Sequence, residues 1–195
     1  MFNSLTMTIL IIAISISVIF YFITLYNQLV LLKNDIQKNW SNIDVLLKQR
    51  NSELTKLVDS CTQYMQYEQG IVDKITKARN SLMSACDIKD TAAIGLAEVE
   101  VRSSVRQLFA LAENYPNLKT DTVFAKLQQG IIELESSISD RREFYNASVN
   151  LNNTAVEQFP ASIVANHFNF KKYDLLHFSE EEKQDVNIKN LFNKN

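Results

Sequence analysis

Two arginines stand at positions of this sequence where the surrounding pattern requires apolar residues. Arg50 falls on an apolar helical stripe, and Arg141 lies between Ile138 and Tyr145 on another. A guanidinium in a protein interior must be paired and hydrogen-bonded, because its charge is costly to desolvate. These positions therefore predict ion pairing. We favour an internal network that sets the register of helices over a polar groove that binds a ligand or partner, or a solvated rim.

Four further polar residues are candidates for the same network or for binding a partner. They are three carboxylates and one tyrosine: Asp44, Glu113, Tyr115 and Asp140. The Tyr115-Pro116 step is most simply a turn that ends a helix, since the residue before a proline avoids the helical region. Together with Arg50 and Arg141, these are the candidate structural or partner-binding positions.

The remaining reactive residue types lack the spacing of a catalytic or metal centre. His167 and His177 lie in a segment without helical period and cannot share a helix face as paired metal ligands do. Cys61 and Cys86 match no metal or redox spacing, and we interpret them as small apolar side chains of a helical core. With 3 glycines, the chain has no glycine-rich nucleotide-binding motif. We predict that the protein is not an enzyme and needs no cofactor.

The composition predicts an all-α fold. Among 195 residues there are only 3 Gly and 2 Pro, and a fold of a few long helices needs the fewest turns. The formal net charge of −2 implies no strongly basic face, so we expect no nucleic-acid partner.

The N-terminal region contains a candidate membrane anchor at residues 5–26. This apolar stretch is long enough to cross the hydrocarbon core as a helix. No basic residue precedes it and no small-residue cleavage site follows it, so we expect an uncleaved anchor rather than a signal peptide. The basic residues Lys33, Lys38, Lys48 and Arg50 follow the stretch. The positive-inside rule then places the N-terminus outside and the C-terminal domain in the cytoplasm.

After the anchor, apolar residues recur at steps of three and four, which is typical of helices that pack against one another. The first pattern continues the anchor as far as Glu68, and Gly70 is the first expected break. Three further patterns follow, at 71–85, 94–112 and 124–149.

Short polar segments between these patterns supply capping residues. Asp90 or Thr91 is expected to cap the third helix, and Thr120 or Asp121 the fourth.

The predicted organisation has four parts. They are a short N-terminal segment (1–4), a transmembrane helix (5–26), an antiparallel four-helix bundle with a long first helix (27–158) and an irregular C-terminal tail (159–195). The tail has apolar residues without a clear period, and its charged end (179–195) is expected to be poorly ordered.

Three segments, in order along the chain, resemble the signatures of the LemA family. They read YNQLV at 26–30 with WSNIDVLLKQR at 40–50, ENYPNLK at 113–119, and ISDRREFYN at 138–146. The resemblance extends over about residues 20–178. One departure is SELTKLV at 52–58, where the family usually has a proline, so any kink there should be weaker in this chain.

The resemblance implies a bacterial, membrane-anchored, bundle-like protein from a family without an established activity, some of whose members are associated with magnetosome membranes. We predict a non-catalytic scaffold or adaptor that binds a protein partner at the inner membrane as a single-pass protein, with homo-oligomerisation left open. The alternative is a regulatory or sensory component that transmits a ligand or envelope signal through the long first helix.

Overall fold

The structure is a computed structural model that describes residues 4–65 and 68–177. This part of the chain contains helices and no strand. The helices are α1 (Ser4–Tyr64), α2 (Gln69–Ile88), α3 (Thr91–Ala112), α4 (Pro116–Lys119), α5 (Thr122–Glu157) and α6 (Ala161–His167). The predicted all-α class is confirmed. The antiparallel four-helix bundle stays a prediction, and the segment 179–195 lies outside the described residues.

α1 is a single helix of 61 residues, because neither glycine nor proline occurs within it. Its N-terminal part includes a stretch with a mean hydropathy of 2.6, none of which is buried. Large side chains such as Leu5, Ile11 and Phe20 are 71%, 63% and 71% exposed. By length and composition this stretch is a candidate membrane span.

Hydroxyl groups within the apolar stretch are hydrogen-bonded inside the helix itself. The side chains of Ser15, Ser17 and Thr24 each donate to the backbone carbonyl four residues earlier, at 2.9, 2.9 and 3.0 Å. Such bonds remove the cost of placing a hydroxyl in an apolar surrounding. These three polar residues are therefore compatible with a lipid environment.

The chain divides into two compact units, and α1 and α5 contribute residues to both. The first unit contains Met1–Trp40 and Phe144–Asp174, and the second contains Ser41–Glu143 and Leu175–Asn195.

The core of the first unit includes the short helix α6. Leu29, Val164 and Ala165 are at most 4% exposed, and the side chains that pack against them are Leu25, Ala155, Val156 and Phe170. The prediction of an irregular tail is therefore wrong for Ala161–His167. Seven residues are too few to show a helical period, and a helix this short is stable only through its packing.

Two asparagines of α5 bind the segment that follows α6. The Asn153 side chain donates to the Tyr173 carbonyl at 2.9 Å and accepts from the Tyr173 N–H at 3.0 Å. Asn152 Nδ2 donates to the Lys171 carbonyl at 3.0 Å. Side-chain amides thus satisfy backbone groups of a segment without helix or strand.

In the second unit, α2 and α3 form a helical hairpin. Lys89 adopts the left-handed conformation, with φ of 55°, at the C-terminus of α2. Asp90 Oδ1 accepts a hydrogen bond from the Ala93 N–H at 2.9 Å, which is the geometry of an N-cap. Of the two residues predicted to cap the third helix, Asp90 is the cap.

Asp121 caps the N-terminus of α5. Its Oδ1 accepts from the N–H groups of Val123 at 2.7 Å and Phe124 at 3.1 Å, and its Oδ2 accepts from the Tyr64 hydroxyl at 3.0 Å. The bonds from Phe124, Tyr64 and Val123 lower the pKa of Asp121, because they stabilise the charged carboxylate. The structure selects Asp121 rather than Thr120 as the capping residue.

The second unit buries an extensive apolar core. Its large members, no more than 3% exposed, include Ile43, Leu47, Leu54, Leu57, Ile75, Leu82, Ile94, Val101, Leu108, Leu118, Phe124, Ile131 and Ile138. α1 ends at Tyr64, earlier than expected, and Gly70 lies in the first turn of α2 instead of at a break. Glycine is tolerated there because the first N–H groups of a helix have no intrahelical partner.

Candidate functional site

Arg50 lies at the centre of an ion-pair network in the second unit. The residue is 0% exposed. Its Nη2 donates to Glu98 Oε1 at 2.5 Å, and its Nη1 donates to Glu98 Oε2 at 3.2 Å and to Glu135 Oε1 at 3.1 Å. Two bonds to one carboxylate form the bidentate arrangement in which Arg–carboxylate pairs are strongest. The network therefore connects α1, α3 and α5.

Arg102 is the fourth member of this network. Its Nε lies 3.0 Å from Glu135 Oε2 and 3.9 Å from Glu98 Oε2. The side chains of Glu98, Arg102 and Glu135 are 3%, 16% and 25% exposed, so the network extends from the interior towards solvent. Two guanidiniums face two carboxylates, and the charges of the four residues balance.

The electrostatics of the network keep Arg50 charged. Burial acts to lower the pKa of Arg50, but the charges and hydrogen bonds of Glu98 and Glu135 outweigh it, and the pKa is raised. Arg50 therefore does not act as a general acid or base near neutral pH. What this geometry can do is hold three helices in one register, because a shifted helix would leave a buried charge unpaired.

The partners of Arg50 are Glu98 and Glu135, and not the three candidate carboxylates Asp44, Glu113 and Asp140. Asp44 Oδ2 accepts a hydrogen bond from Lys48 Nζ at 2.7 Å. Glu113 is paired with Lys119 near the surface. Both are local pairs between neighbours in the sequence, and such exposed pairs contribute little to stability. The network around Arg50 therefore contains two glutamates that were not among the candidate positions.

Glu98 was not among the predicted site residues, although its position in the sequence indicates that it is buried. It lies four residues after Ile94 and three before Val101, on the apolar stripe of α3, and is 2% exposed. A carboxylate on such a stripe needs a cation for the same reason that Arg50 needs an anion. Glu135 gives no such signal, because it lies beside the buried stripe residue Leu134 instead of on the stripe.

The buried arginine of α5 is Arg142 and not Arg141. Arg142 is 4% exposed, whereas Arg141 and Asp140 are exposed, so the placement of Arg141 on the buried stripe is wrong. A period of 3.6 residues allows a step of three or four from Ile138, and both steps reach an arginine. Arg142 and Glu98 line the same small cavity of about 10 Å³.

Tyr115 is half-buried and has a hydrogen-bond partner. Its hydroxyl donates to Glu68 Oε1 at 3.4 Å. Desolvation, followed by the charge and hydrogen bond of Glu68, raises the pKa of Tyr115. α3 ends at Ala112, and Pro116 begins α4, which confirms the predicted stop.

Both cysteines are buried and free. Burial raises the pKa of the Cys61 and Cys86 thiols to about 11, so both are protonated near neutral pH and are weak nucleophiles. Their interpretation as small apolar core residues is confirmed. In the part of the chain that the structure describes, no group of His, Cys, Asp and Glu is placed to hold a metal ion.

Comparison with known proteins covers most of the chain. Residues 39–190 match the LemA family. Protein LemA of Metamycoplasma hominis is 29% identical over 179 residues, which cover 90% of this chain and 80% of that protein. Magnetosome protein MamQ of Magnetospirillum gryphiswaldense is 23% identical over 195 residues, covering 86% of this chain and 72% of that protein. MamQ 1 of Paramagnetospirillum magneticum is 23% identical over 186 residues, covering 84% and 68%. The range of the family match contains Arg50, Glu98, Arg102 and Glu135.

Proposed function

This chain belongs to the LemA family, and we propose that it is a non-catalytic adaptor that is anchored in the bacterial inner membrane and binds a protein partner. The apolar stretch of α1 is the anchor, crossing the bilayer once. Lys33 and Lys38 follow this stretch and are exposed, and no basic residue precedes it. This asymmetry favours an outside N-terminus and a cytoplasmic C-terminal domain.

The observation that carries partner binding is an exposed apolar face on α3. Leu96 is 76% exposed and Val99 is 42% exposed. Ala92 is also exposed and precedes Leu96 by four residues, so the three side chains share one face of the helix. We call Ala92, Leu96 and Val99 the α3 patch. Grouped apolar residues at a surface mark interaction sites, whereas single ones are ordinary.

The charged interior supports a structural role for the residues that could otherwise perform chemistry. Arg50 and Glu98 bind each other with two hydrogen bonds, and they hold helices together. The exposed positions Glu113, Asp140 and Arg141 are candidate contacts for the partner, since charged residues at an interface rim provide specificity.

Site-specific photo-crosslinking tests the adaptor proposal in the full chain within bacterial membranes. A photoreactive amino acid at Leu96 should give one adduct of defined mass. The same amino acid at Lys126, an exposed polar position on α5, should give none. Val99→Glu should abolish the adduct from position 96 without changing the melting temperature, because a charge opposes apolar contact. Absence of an adduct at position 96, or equal adducts at both positions, would contradict the proposal.

A regulatory or sensory component is the second candidate function. It is favoured by one observation: α1 carries both the apolar stretch and Arg50 within one helix without a break. A ligand that raises the melting temperature of the detergent-solubilised chain, together with no crosslinked partner, would support this candidate over the adaptor.

A further inference from the structure

Large apolar side chains are exposed around α6 in the first unit. Phe159, Ile163 and Phe168 are 82%, 51% and 56% exposed. Val164 and Ala165, on the other side of the same helix, are at most 4% exposed and belong to the core of the unit. The exposed side of α6 and its flanks thus carries three large apolar side chains beside the polar residues Asn166, His167 and Asn169, where a helix at a protein–water surface is normally polar.

Two of these apolar side chains, Phe159 and Phe168, lie beside the end of the membrane stretch of α1. Phe159 lines a groove of about 190 Å³ together with Tyr21 and Leu25. The ring of Phe168 lies 4.7 Å from the ring of Tyr26. Tyrosines at the end of a membrane span occupy the boundary between lipid and water. With α1 inserted as proposed, Phe159 and Phe168 lie at the level of that boundary.

A second groove, of about 590 Å³, adjoins Tyr26 and Phe168 and is lined by lysines. This volume is typical of ligand-binding clefts. Lys33 and Lys171 line it with exposed side chains. Lys172 also lines it but is bound by Glu157. The groove thus offers two cationic side chains next to an aromatic wall.

A buried acceptor in the same groove points to a ligand with a donor group. Asn152 lines the groove and is 1% exposed. Its Nδ2 donates to the Lys171 carbonyl at 3.0 Å, which fixes the orientation of the amide. Its Oδ1 accepts no hydrogen bond from any described residue. Leaving a buried acceptor unsatisfied is costly, and a ligand hydroxyl or ammonium would remove that cost.

We propose that residues 159–173, with Tyr26 and Lys33 of α1, form a binding surface for an anionic phospholipid at the membrane boundary. The inference rests on the proposed insertion of α1 in the membrane. Phe159, Ile163 and Phe168 contact the upper acyl chains.

The headgroup occupies the lysine-lined groove. Lys33 and Lys171 bind the phosphate, and a headgroup hydroxyl donates to Asn152 Oδ1. Phosphatidylglycerol carries both groups.

The order of side chains along α1 favours lipid over a protein partner as the occupant. Phe168 packs on Tyr26 and Phe159 lines a groove with Tyr21 and Leu25, whereas the groove with the lysines extends as far as Asn34. Lys33 lies about 10 Å beyond Tyr26 along the helix, a distance from which a lysine side chain reaches back to the headgroup layer. In a bilayer leaflet, apolar acyl chains lie in the interior and anionic phosphates lie at the surface. Apolar side chains followed by cationic ones along α1 match this order.

The first test uses fluorescence quenching in the full chain to measure how deeply single tryptophans lie in a bilayer. Trp40→Phe removes the native tryptophan, and single tryptophans replace Phe168, Phe144 or Ile12. The chain is placed in phosphatidylglycerol vesicles whose acyl chains carry bromine near the headgroup or near the terminus. We expect quenching of Phe168→Trp by the shallow bromine and none of Phe144→Trp. Phe144 is a matched control, because it has the same exposure of 56% and lies about 20 Å from the end of α5.

Ile12→Trp separates failure of this inference from failure of the proposed anchoring. If Ile12→Trp is quenched by deep bromine and Phe168→Trp is not quenched, the chain is inserted and the phospholipid surface is overturned. An unquenched Phe168→Trp with blue-shifted emission would show that protein covers the face, and this outcome also overturns the inference. If Ile12→Trp is unquenched, both proposals are overturned.

The second test measures the affinity of the detergent-solubilised chain for the lipid headgroup. Fluorescent phosphatidylglycerol is titrated into the solubilised full chain, with fluorescent phosphatidylcholine as the comparison lipid. Lys33→Gln with Lys171→Gln should weaken phosphatidylglycerol binding roughly fivefold for each charge removed. Lys38→Gln, an exposed lysine of the same unit outside the groove, should leave it unchanged.

Two further outcomes decide the nature of this site. Equal affinity for the two lipids, or no loss in the double variant, would overturn the inference. Inorganic phosphate in excess should not displace the lipid, because it makes none of the apolar contacts. Full displacement by phosphate would show a free-anion site and would overturn the assignment to a phospholipid.

Discussion

Arg50 and Glu98, 48 residues apart in the sequence, form a bidentate ion pair in the interior of the second unit, with N···O distances of 2.5 and 3.2 Å. The two residues are 0% and 2% exposed. Each charge is the main partner that makes burial of the other tolerable. The pair therefore ties the stretch of α1 around Arg50 to α3, and its energetics are open to direct measurement.

Glu98→Ala should destabilise the second unit by about 3–5 kcal/mol, because it leaves the buried guanidinium of Arg50 without its main partner. Urea unfolding of the full chain in detergent, followed by circular dichroism, measures the loss. The double variant Arg50→Met with Glu98→Leu should lie closer to the wild type, since it removes both charges. Lys48→Ala, which breaks an exposed pair with Asp44, is the control and should unfold like the wild type. A Glu98→Ala midpoint equal to that of Lys48→Ala would exclude a structural role for the pair.

Arg142→Ala should lower the melting temperature, and Arg141→Ala should not. Arg142 is 4% exposed, and truncation removes interior packing and charge at a cost on the order of 2 kcal/mol or more. Arg141 is exposed, and surface substitutions cost little. The adjacent variants carry the same chemical change, so each is the control of the other. Equal melting temperatures for the two variants would show that the assignment of the buried arginine is incorrect.

Acid should weaken the capping interaction of Asp121. The pKa of Asp121 is lowered from its ordinary value of 3.8, so the native state binds fewer protons than the unfolded state between the lowered pKa and 3.8. The stabilisation is fully present above pH 3.8 and is lost as the pH falls through the lowered pKa. Asp121→Asn keeps an acceptor for the helix N–H groups and does not titrate, so its stability should fall less between about pH 5 and pH 2. The same acid dependence in both proteins would refute this role of the carboxylate.

A reporter fused to Asn195 should be active on the cytoplasmic side of the membrane. The expectation rests on exposed lysines such as Lys33 and Lys38 after the apolar stretch and none before it. Paired fusions of alkaline phosphatase and green fluorescent protein measure the two sides independently. Adding three lysines immediately after Met1 should reduce the cytoplasmic signal, because it removes the asymmetry. Phosphatase activity in the unmodified fusion would reverse the proposed topology.

The sequence alone determined those features of this protein that depend on local composition and spacing. Scarcity of glycine and proline was sufficient to predict an all-α chain, and the uncharged N-terminal stretch was sufficient to predict a candidate membrane span. The Tyr115-Pro116 stop and a cap at Asp90 or Thr91 followed from the conformational preferences of single residues, and the structure selects Asp90. The interior position of Arg50 followed from the period of its neighbours.

Only the tertiary structure decided which residues meet. Glu98 and Glu135 became the partners of Arg50 from 48 and 85 residues away, and Arg142 took the interior position for which Arg141 had the same helical spacing. α6 forms because Val164 and Ala165 are buried against Leu29, far earlier in the chain. These outcomes depend on which helix faces approach one another. Spacing within one segment carries no information about the side chains that another segment brings to it.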